Sequence, residues 1–164
     1  MNLFNGFVKS LESGNNDKKS RILLVDDDYD IVFTFKKALE EYSQFEVDTF
    51  TDPIQALSRF KVNTYDLLVI DIRLPNMDGF ELYDKLKEID NKVKVCFMTA
   101  YDINVKALQA VFPLSSDLDG CFIRKPVHIE DFITRIKSEL GATWDDSLFD
   151  IKVTVIELTF LAVL

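Results

Sequence analysis

The chain is poor in the residues that many function classes require: one histidine, one tryptophan, two cysteines, four prolines and five glycines among 164 residues. Cys96 and Cys121 lie far apart in apolar strings, which fits neither a disulfide framework nor a zinc site, since both use more Cys or Cys/His at short spacings. They are expected to pack as core thiols in a reduced compartment, and the cytoplasm is the expected location. The glycines, at 6, 14, 79, 120 and 141, form neither G-x-x-x-x-G-K-[ST] nor G-x-G-x-x-G, so a glycine cradle for nucleotide phosphates is excluded. No G-x-S-x-G elbow is present. The single histidine, His128, follows Lys125-Pro126-Val127 at the start of a helical pattern, where a solvent-facing side chain is expected, and it is given no role.

Positive charge is also scarce. Nineteen Lys+Arg against 28 Asp+Glu leave a formal net charge of -9, the wrong sign for binding nucleic acid or anionic lipid by bulk charge. No segment approaches the roughly 20 apolar residues that span a bilayer, and the N-terminus lacks the basic start and apolar run of a secretory signal. What the chain does have is 48% hydrophobic residues, enough for one domain with a buried core.

Three stretches differ in texture. Residues 1–19 carry a small stripe at helical spacing (Leu3, Phe4, Phe7, Val8, Leu11) and then a polar linker. The stripe fits a short amphipathic helix, but a helix this short is marginal by itself in water, so fraying is the default and no function is assigned to it. Residues 142–164 form a tail that begins polar and turns β-branched and apolar, as a strand or the start of an effector would. Between them, over 20–141, short apolar runs alternate with helical patterns: strands at 22–25, 45–50, 67–70, 93–98 and 121–123, helices at 31–42, 53–60, 79–89, 104–112 and 129–140. Near-continuous apolar strands are buried on both faces, and βα alternation forces parallel pairing with right-handed crossovers, so the fold class is a doubly wound α/β sheet. Asp52-Pro53, Asp78-Gly79 and Gly141 punctuate the helices as caps.

In such sheets the functional crevice lies beyond the carboxyl ends of the strands. The first strand ends in Asp26-Asp27-Asp28, the third in Asp71 and the fourth in Thr99-Ala100, and the fifth is followed by Lys125-Pro126. Asp26, Asp27 and Asp71 must then converge, and three carboxylates at close range repel unless a cation or proton neutralises them. A hard divalent ion, Mg²⁺, suits an all-oxygen site, with a phosphoryl group as its usual further ligand. Thr99 can donate to a phosphoryl oxygen and Lys125 can offset its charge. Asp28 and Asp30 read instead as helix N-terminal carboxylates. The run Asp26 to Asp30 imitates the opening of a calcium loop, but Ile31 and Lys37 stand where that loop needs Gly and Glu.

These residues resemble the response-regulator receiver domain of two-component signalling. The resemblance covers Arg21 to about Leu140. It is carried by Ile22-Leu23-Leu24-Val25-Asp26-Asp27-Asp28, by Asp66 to Gly79 with its Asp71-Ile72-Arg73-Leu74-Pro75-Asn76-Met77-Asp78-Gly79 segment, by Met98-Thr99-Ala100 and by Arg124-Lys125-Pro126. It implies a flavodoxin-like five-stranded parallel sheet in order 2-1-3-4-5, an order for which a receiver is a standard example. It further implies Asp71 as phospho-acceptor, Asp27 as the Mg²⁺ carboxylate with Asp26 acting partly through water, and the main-chain carbonyl of Arg73 in the metal shell. Thr99 and Lys125 match the switch hydroxyl and the site lysine, and Phe122 matches the aromatic whose rotamer reports phosphorylation. Pro75 and Gly79 shape the loop after the acceptor. Arg73 and Tyr101 occupy positions that tune hydrolysis, and their bulk is expected to slow it. The implied donor is a phosphohistidine on a sensor histidine kinase or phosphotransfer protein; the domain assists its own phosphorylation and dephosphorylation without being an enzyme for another substrate.

The chain departs from the family between Thr99 and Lys125, where it is a few residues longer and carries 111–120 in place of a small-residue turn; Pro113 is expected to end the 104–112 helix early. Two rival functions stay open. A haloacid-dehalogenase-like phosphatase would use Asp26 and Asp28 as D-x-D with Thr99 and Lys125, but leaves Asp71 without purpose. An interaction module would keep the fold without phosphorylation. No direct nucleic-acid contact is expected, and output passes through protein contacts.

Overall fold

The computed structural model describes residues 19–43, 45–100 and 121–141. The expected features at 1–18, 104–112, Pro113 and 142–164 lie outside the described residues.

Five strands, β1 (Arg21–Val25), β2 (Glu46–Phe50), β3 (Leu67–Asp71), β4 (Lys94–Thr99) and β5 (Cys121–Arg124), form one sheet in the order β2-β1-β3-β4-β5. All four pairings are parallel. Four helices are described: α1 (Tyr29–Ser43), α2 (Pro53–Arg59), α3 (Gly79–Ile89) and α4 (Ile129–Leu140). The doubly wound sheet and its strand order are as expected.

Alternation within the strands divides the core into two layers. Ile22, Leu24, Val69, Cys96, Met98 and Ile123 pack in one layer with Val32, Phe35 and Leu39 of α1 and Phe132, Ile133 and Ile136 of α4. Phe35 and Phe132 stack at 4.1 Å between ring centroids, joining the two helices. Leu23, Val25, Leu68, Ile70, Val95 and Phe97 pack in the other layer with Ala56 of α2 and Phe80, Leu82, Tyr83 and Leu86 of α3. Ile22 to Val25 and Leu67 to Ile70 are all 0% exposed, which is why both central strands read as unbroken apolar runs.

Capping fixes where the helices begin. Asp28 Oδ1 accepts from the Asp30 and Ile31 N–H groups, so α1 starts at Tyr29, two residues before its apolar periodicity. Asp52 accepts from Ile54 N–H ahead of Pro53, and Asp78 accepts from the Phe80 and Glu81 N–H groups. Gly141, at φ 67°, ends α4 in the left-handed conformation that glycine adopts without strain.

Candidate functional site

The site follows from the placement of β1 and β3 side by side at the sheet centre. Val25 pairs with Ile70, so the next residues, Asp26 and Asp71, meet at the carboxyl ends of neighbouring strands. Asp26 is held by its N–H bond to Phe50 O at 3.2 Å and is 1% exposed; Asp71 closes β3 and is 6% exposed. Asp27 turns outward and is exposed. One carboxylate oxygen from each of Asp26, Asp27 and Asp71 lies within 4.8 Å of the other two.

The cation comes from the far side of the sheet. Lys125 N–H donates to Thr99 O at 2.7 Å, extending the β4–β5 ladder by one bond, and its peptide with Pro126 is cis. Its ammonium lies 2.5 Å from Asp26 Oδ2 and 3.3 Å from Asp71 Oδ1. The other oxygen of Asp26 accepts from Asp28 N–H at 3.1 Å, so both of its oxygens are engaged. Burial pushes the Asp26 carboxyl above its ordinary value of 3.8, against the pull of the Lys125 and Asp28 hydrogen bonds. Burial also raises Asp71; Lys125 opposes the shift, whereas Asp26 and Asp27 add to it as like charges. A cluster that resists holding three negative charges, with one exposed carboxylate and oxygen donors only, is compatible with Mg²⁺.

The loop after Asp71 is folded back on the end of β3. Gly79 N–H donates to Ile72 O at 3.0 Å, Met77 N–H donates to Pro75 O at 2.8 Å, and Asn76 sits at φ 67°. A Cβ on Gly79 would collide with the main-chain carbonyl of Asp71, so glycine is required here for close approach. Beside the carboxylates an open cavity of about 620 Å³ is bounded by Asp27 and by Ile72 to Pro75, with exposed Arg73 on its wall.

Thr99 ends β4 and is 6% exposed. Phe122 is half-buried on β5, its ring stacked on Phe97 at 5.7 Å. Tyr101 lies outside the described residues. His128 is exposed and precedes α4 without making a side-chain cap bond.

One expectation is overturned. Cys96 and Cys121 do not pack as free thiols; they form a disulfide across β4 and β5. They occupy directly paired register positions, with Cα atoms 4.4 Å apart. The expectation rested on an assumed compartment, whereas the pairing follows from register. Sequence reading also missed Arg135, whose Nε donates to Cys121 Sγ at 3.0 Å. It missed a polar network at the opposite end of the sheet too: Asp48 Oδ2 accepts from Tyr65 OH and from Arg21 Nη2, each at 2.9 Å. Burial and the Asp48 carboxylate push the Tyr65 phenol up to about 12.

The sequence profile of the response regulator receiver domain matches residues 22–137. The chain belongs to the response regulator receiver family. This receiver is 35% identical over 123 residues to the response regulator receiver protein CpdR of Brucella abortus, covering 74% of the chain and 98% of CpdR. It is 33% identical to the transcriptional regulatory protein PrrA of Mycobacterium bovis, covering 84% of the chain but 58% of PrrA. Among solved structures it is similar to a CheY-like receiver domain protein from Methanospirillum hungatei, with a TM-score of 0.65, 29% identity and coverage of 76% and 95% of the two chains. The non-phosphorylated HemR receiver domain of Leptospira biflexa is likewise similar, with a TM-score of 0.65, 29% identity and coverage of 77% and 98%. The protein is therefore a signalling receiver of two-component systems. No helix among the described residues is long and apolar enough to cross a membrane.

Proposed function

We propose that this receiver accepts a phosphoryl group on Asp71 from a phosphohistidine of a sensor histidine kinase or phosphotransfer protein, in a Mg²⁺-dependent reaction on the cytoplasmic side. The acyl phosphate then alters a protein-interaction surface. The observation that carries this reading is the convergence of Asp26, Asp27 and Asp71 oxygens within 4.8 Å, with the Lys125 ammonium 3.3 Å from Asp71. A relative supports the donor class: the sensor protein EvgS of Escherichia coli is 34% identical to the chain over 119 residues, which make up 10% of EvgS.

An Asp71 carboxylate oxygen attacks phosphorus in line, the phosphorus–nitrogen bond to the donor imidazole breaks, and that nitrogen keeps the electron pair and is protonated by solvent. Lys125 offsets charge on the transferring oxygens from its position between Asp26 and Asp71. Asp27 and Asp71, Asp26 through water, and the Arg73 carbonyl would hold Mg²⁺, which when bound neutralises charge on the phosphoryl oxygens. The dianion on Asp71 draws the Thr99 hydroxyl inward, and Phe122 turns further into the layer that holds Phe97. Arg73 and Tyr101, at the sequence positions that tune hydrolysis in this family, slow water attack on the acyl phosphate. Asp26 is a poor nucleophile for the rival phosphatase mechanism, because it is 1% exposed and both oxygens are engaged.

Intact-mass analysis after incubation with acetyl phosphate and Mg²⁺ tests the assignment. A single phosphoryl adduct on the wild type, absent from Asp71→Asn, is expected; equal labelling of the two proteins overturns it.

A further inference from the structure

The chain's two cysteines lie where the sheet can least easily do without a tie. Among the described strands β5 pairs with β4 alone, is four residues long and forms the edge of the sheet. An edge strand opens at lower cost than a central one, because it has one ladder to break. The disulfide joins that strand to β4, through the register pair Cys96 and Cys121. The same two strands lead to the residues given the switching roles above. Thr99 ends β4 three positions beyond Cys96, Phe122 directly follows Cys121, and the Lys125 N–H to Thr99 O bond closes the far end of the ladder.

We propose that Cys96 and Cys121 are a reversible thiol–disulfide switch that sets how freely β5 separates from β4, and thereby how readily the receiver adopts its phosphorylated arrangement. The second half rests on the phospho-acceptor reading; the first does not. Both redox states suit the site. Cys96 and Cys121 are 0% and 1% exposed within the layer formed with α1 and α4, and a reduced pair packs there as two small apolar side chains. Access comes through opening of the edge strand, which exposes Cys121 first. The Arg135 guanidinium donates to Cys121 Sγ at 3.0 Å and pairs with Glu139 at 3.2 Å. The Glu139 carboxylate lies within 4.8 Å of both sulfurs and opposes a thiolate on either, so the direct Arg135 hydrogen bond is what favours a thiolate on Cys121 over one on Cys96.

The co-reactant is a low-molecular-weight disulfide of the glutathione type. Cys121 thiolate attacks one of its sulfurs, forming a mixed disulfide and expelling one thiolate. Cys96, having lost its proton, then attacks Cys121 Sγ and expels the second. Two protein thiols are oxidised, one small disulfide is reduced to two thiols, and the proton from each protein thiol passes through solvent to a released thiolate. With no third cysteine in the chain, exchange has a single intramolecular product.

The test equilibrates the full chain in buffers of varied glutathione to glutathione-disulfide ratio, counts alkylated thiols by mass, and measures amide hydrogen exchange in β5. Reversible passage between zero and two alkylated thiols is expected, with β5 amides exchanging at least about tenfold faster in the reduced form. The reduced form should also reach several-fold more acyl phosphate at equal acetyl phosphate and Mg²⁺, and the double variant Cys96→Ala/Cys121→Ala, which can form neither the disulfide nor a mixed disulfide, should match it in either buffer. Arg135→Gln should slow oxidation several-fold while leaving unfolding midpoints unchanged, which a purely structural role would not produce. A pair that stays closed in excess glutathione, or β5 exchange equal in both states, overturns the switch; so does thiol cycling without a change in labelling, for its coupling to phosphorylation. Absence of acyl phosphate in both states strikes the Asp71 reading instead, and the wild-type thiol count and β5 exchange then decide the switch alone.

Discussion

The Lys125 ammonium rests against Asp26 Oδ2 at 2.5 Å, nearer to that carboxylate than to Asp71. Lys125 thus holds Asp26 more closely than Asp71, and under the proposed phosphorylation it would shift toward Asp71 as charge builds there. Replacing Lys125 by Met removes the ammonium that touches both Asp26 and Asp71, and labelling by acetyl phosphate is expected to fall on the order of 10²-fold, the usual loss when a charge-stabilising group is deleted. Asp26→Asn keeps the acceptor and should label more slowly with a higher Mg²⁺ requirement. A Mg²⁺ titration of the labelling rate separates the two effects.

Stability should respond to pH through the same carboxylates. Burial raises the folded-state values of Asp26 and Asp71 above 3.8, so between the unfolded and folded values the native state binds more protons than the unfolded chain. Their contribution to stability is therefore greatest in acid and is lost as pH rises through that window. Urea midpoints in chelator, measured from about pH 4 to pH 7, should show the wild type losing stability relative to Asp71→Asn as pH rises, and added Mg²⁺ should reverse the loss near neutrality. A constant difference between the two proteins would contradict the linkage.

Tyr65 gives an alkaline counterpart. Its phenol, raised to about 12 from 10.0, titrates higher in the folded state, so its contribution is complete below 10 and disappears as pH rises toward 12. Absorbance titration of tyrosinate should show one late-titrating group in the wild type that is missing in Tyr65→Phe. The variant should also be less sensitive to alkali above about pH 10.

Gly79→Ala sets a methyl group against the Asp71 carbonyl, which is backbone and yields poorly. A destabilisation of about 1–3 kcal/mol is expected from overpacking, together with slower labelling as the acceptor is displaced. Gly141→Ala meets no neighbour and bears only the strain of φ +67°, so it should cost about 1 kcal/mol or less and leave labelling intact. Denaturant melts and labelling rates of the two variants check this contrast.

Arg73 stands exposed on the wall of the cavity beside Asp27. Arg73→Ala and Tyr101→Ala are expected to shorten the acyl-phosphate lifetime, followed as loss of the phosphoryl adduct after the donor is removed. Unchanged lifetimes would refute the screening role assigned to them.

Much of this was legible in the chain because its signals are local. Apolar runs in β1 and β3, the proline after Asp52 and the glycine after Leu140 each act over a few residues, and they place the elements within a residue or two. The carboxylates were legible for another reason: parallel strands deliver their last residues to one edge whatever the details of packing. Asp28 shows the limit of periodicity, since its cap starts α1 before the apolar pattern begins. The disulfide and the Arg21–Asp48–Tyr65 network depend on register between strands distant in sequence, which composition does not encode. The register was nonetheless within reach, because the motif residues Thr99 and Lys125 lie close beyond Cys96 and Cys121 on adjacent strands.

Phe97 touches Phe122 at 5.7 Å, Phe80 at 4.7 Å and Tyr83 at 5.6 Å between ring centroids. Phe80 directly follows the glycine that closes on the Asp71 carbonyl. The loop after Asp71 and the edge strand, which look like separate margins of the molecule, thus lean on a single ring of fixed volume. If Phe122 turns as proposed, Phe97 must fill or vacate space against both, so a one-methylene change at Phe97 would be read at two places at once: as altered chemistry at Asp71 and as altered shape of the outer rim of the sheet.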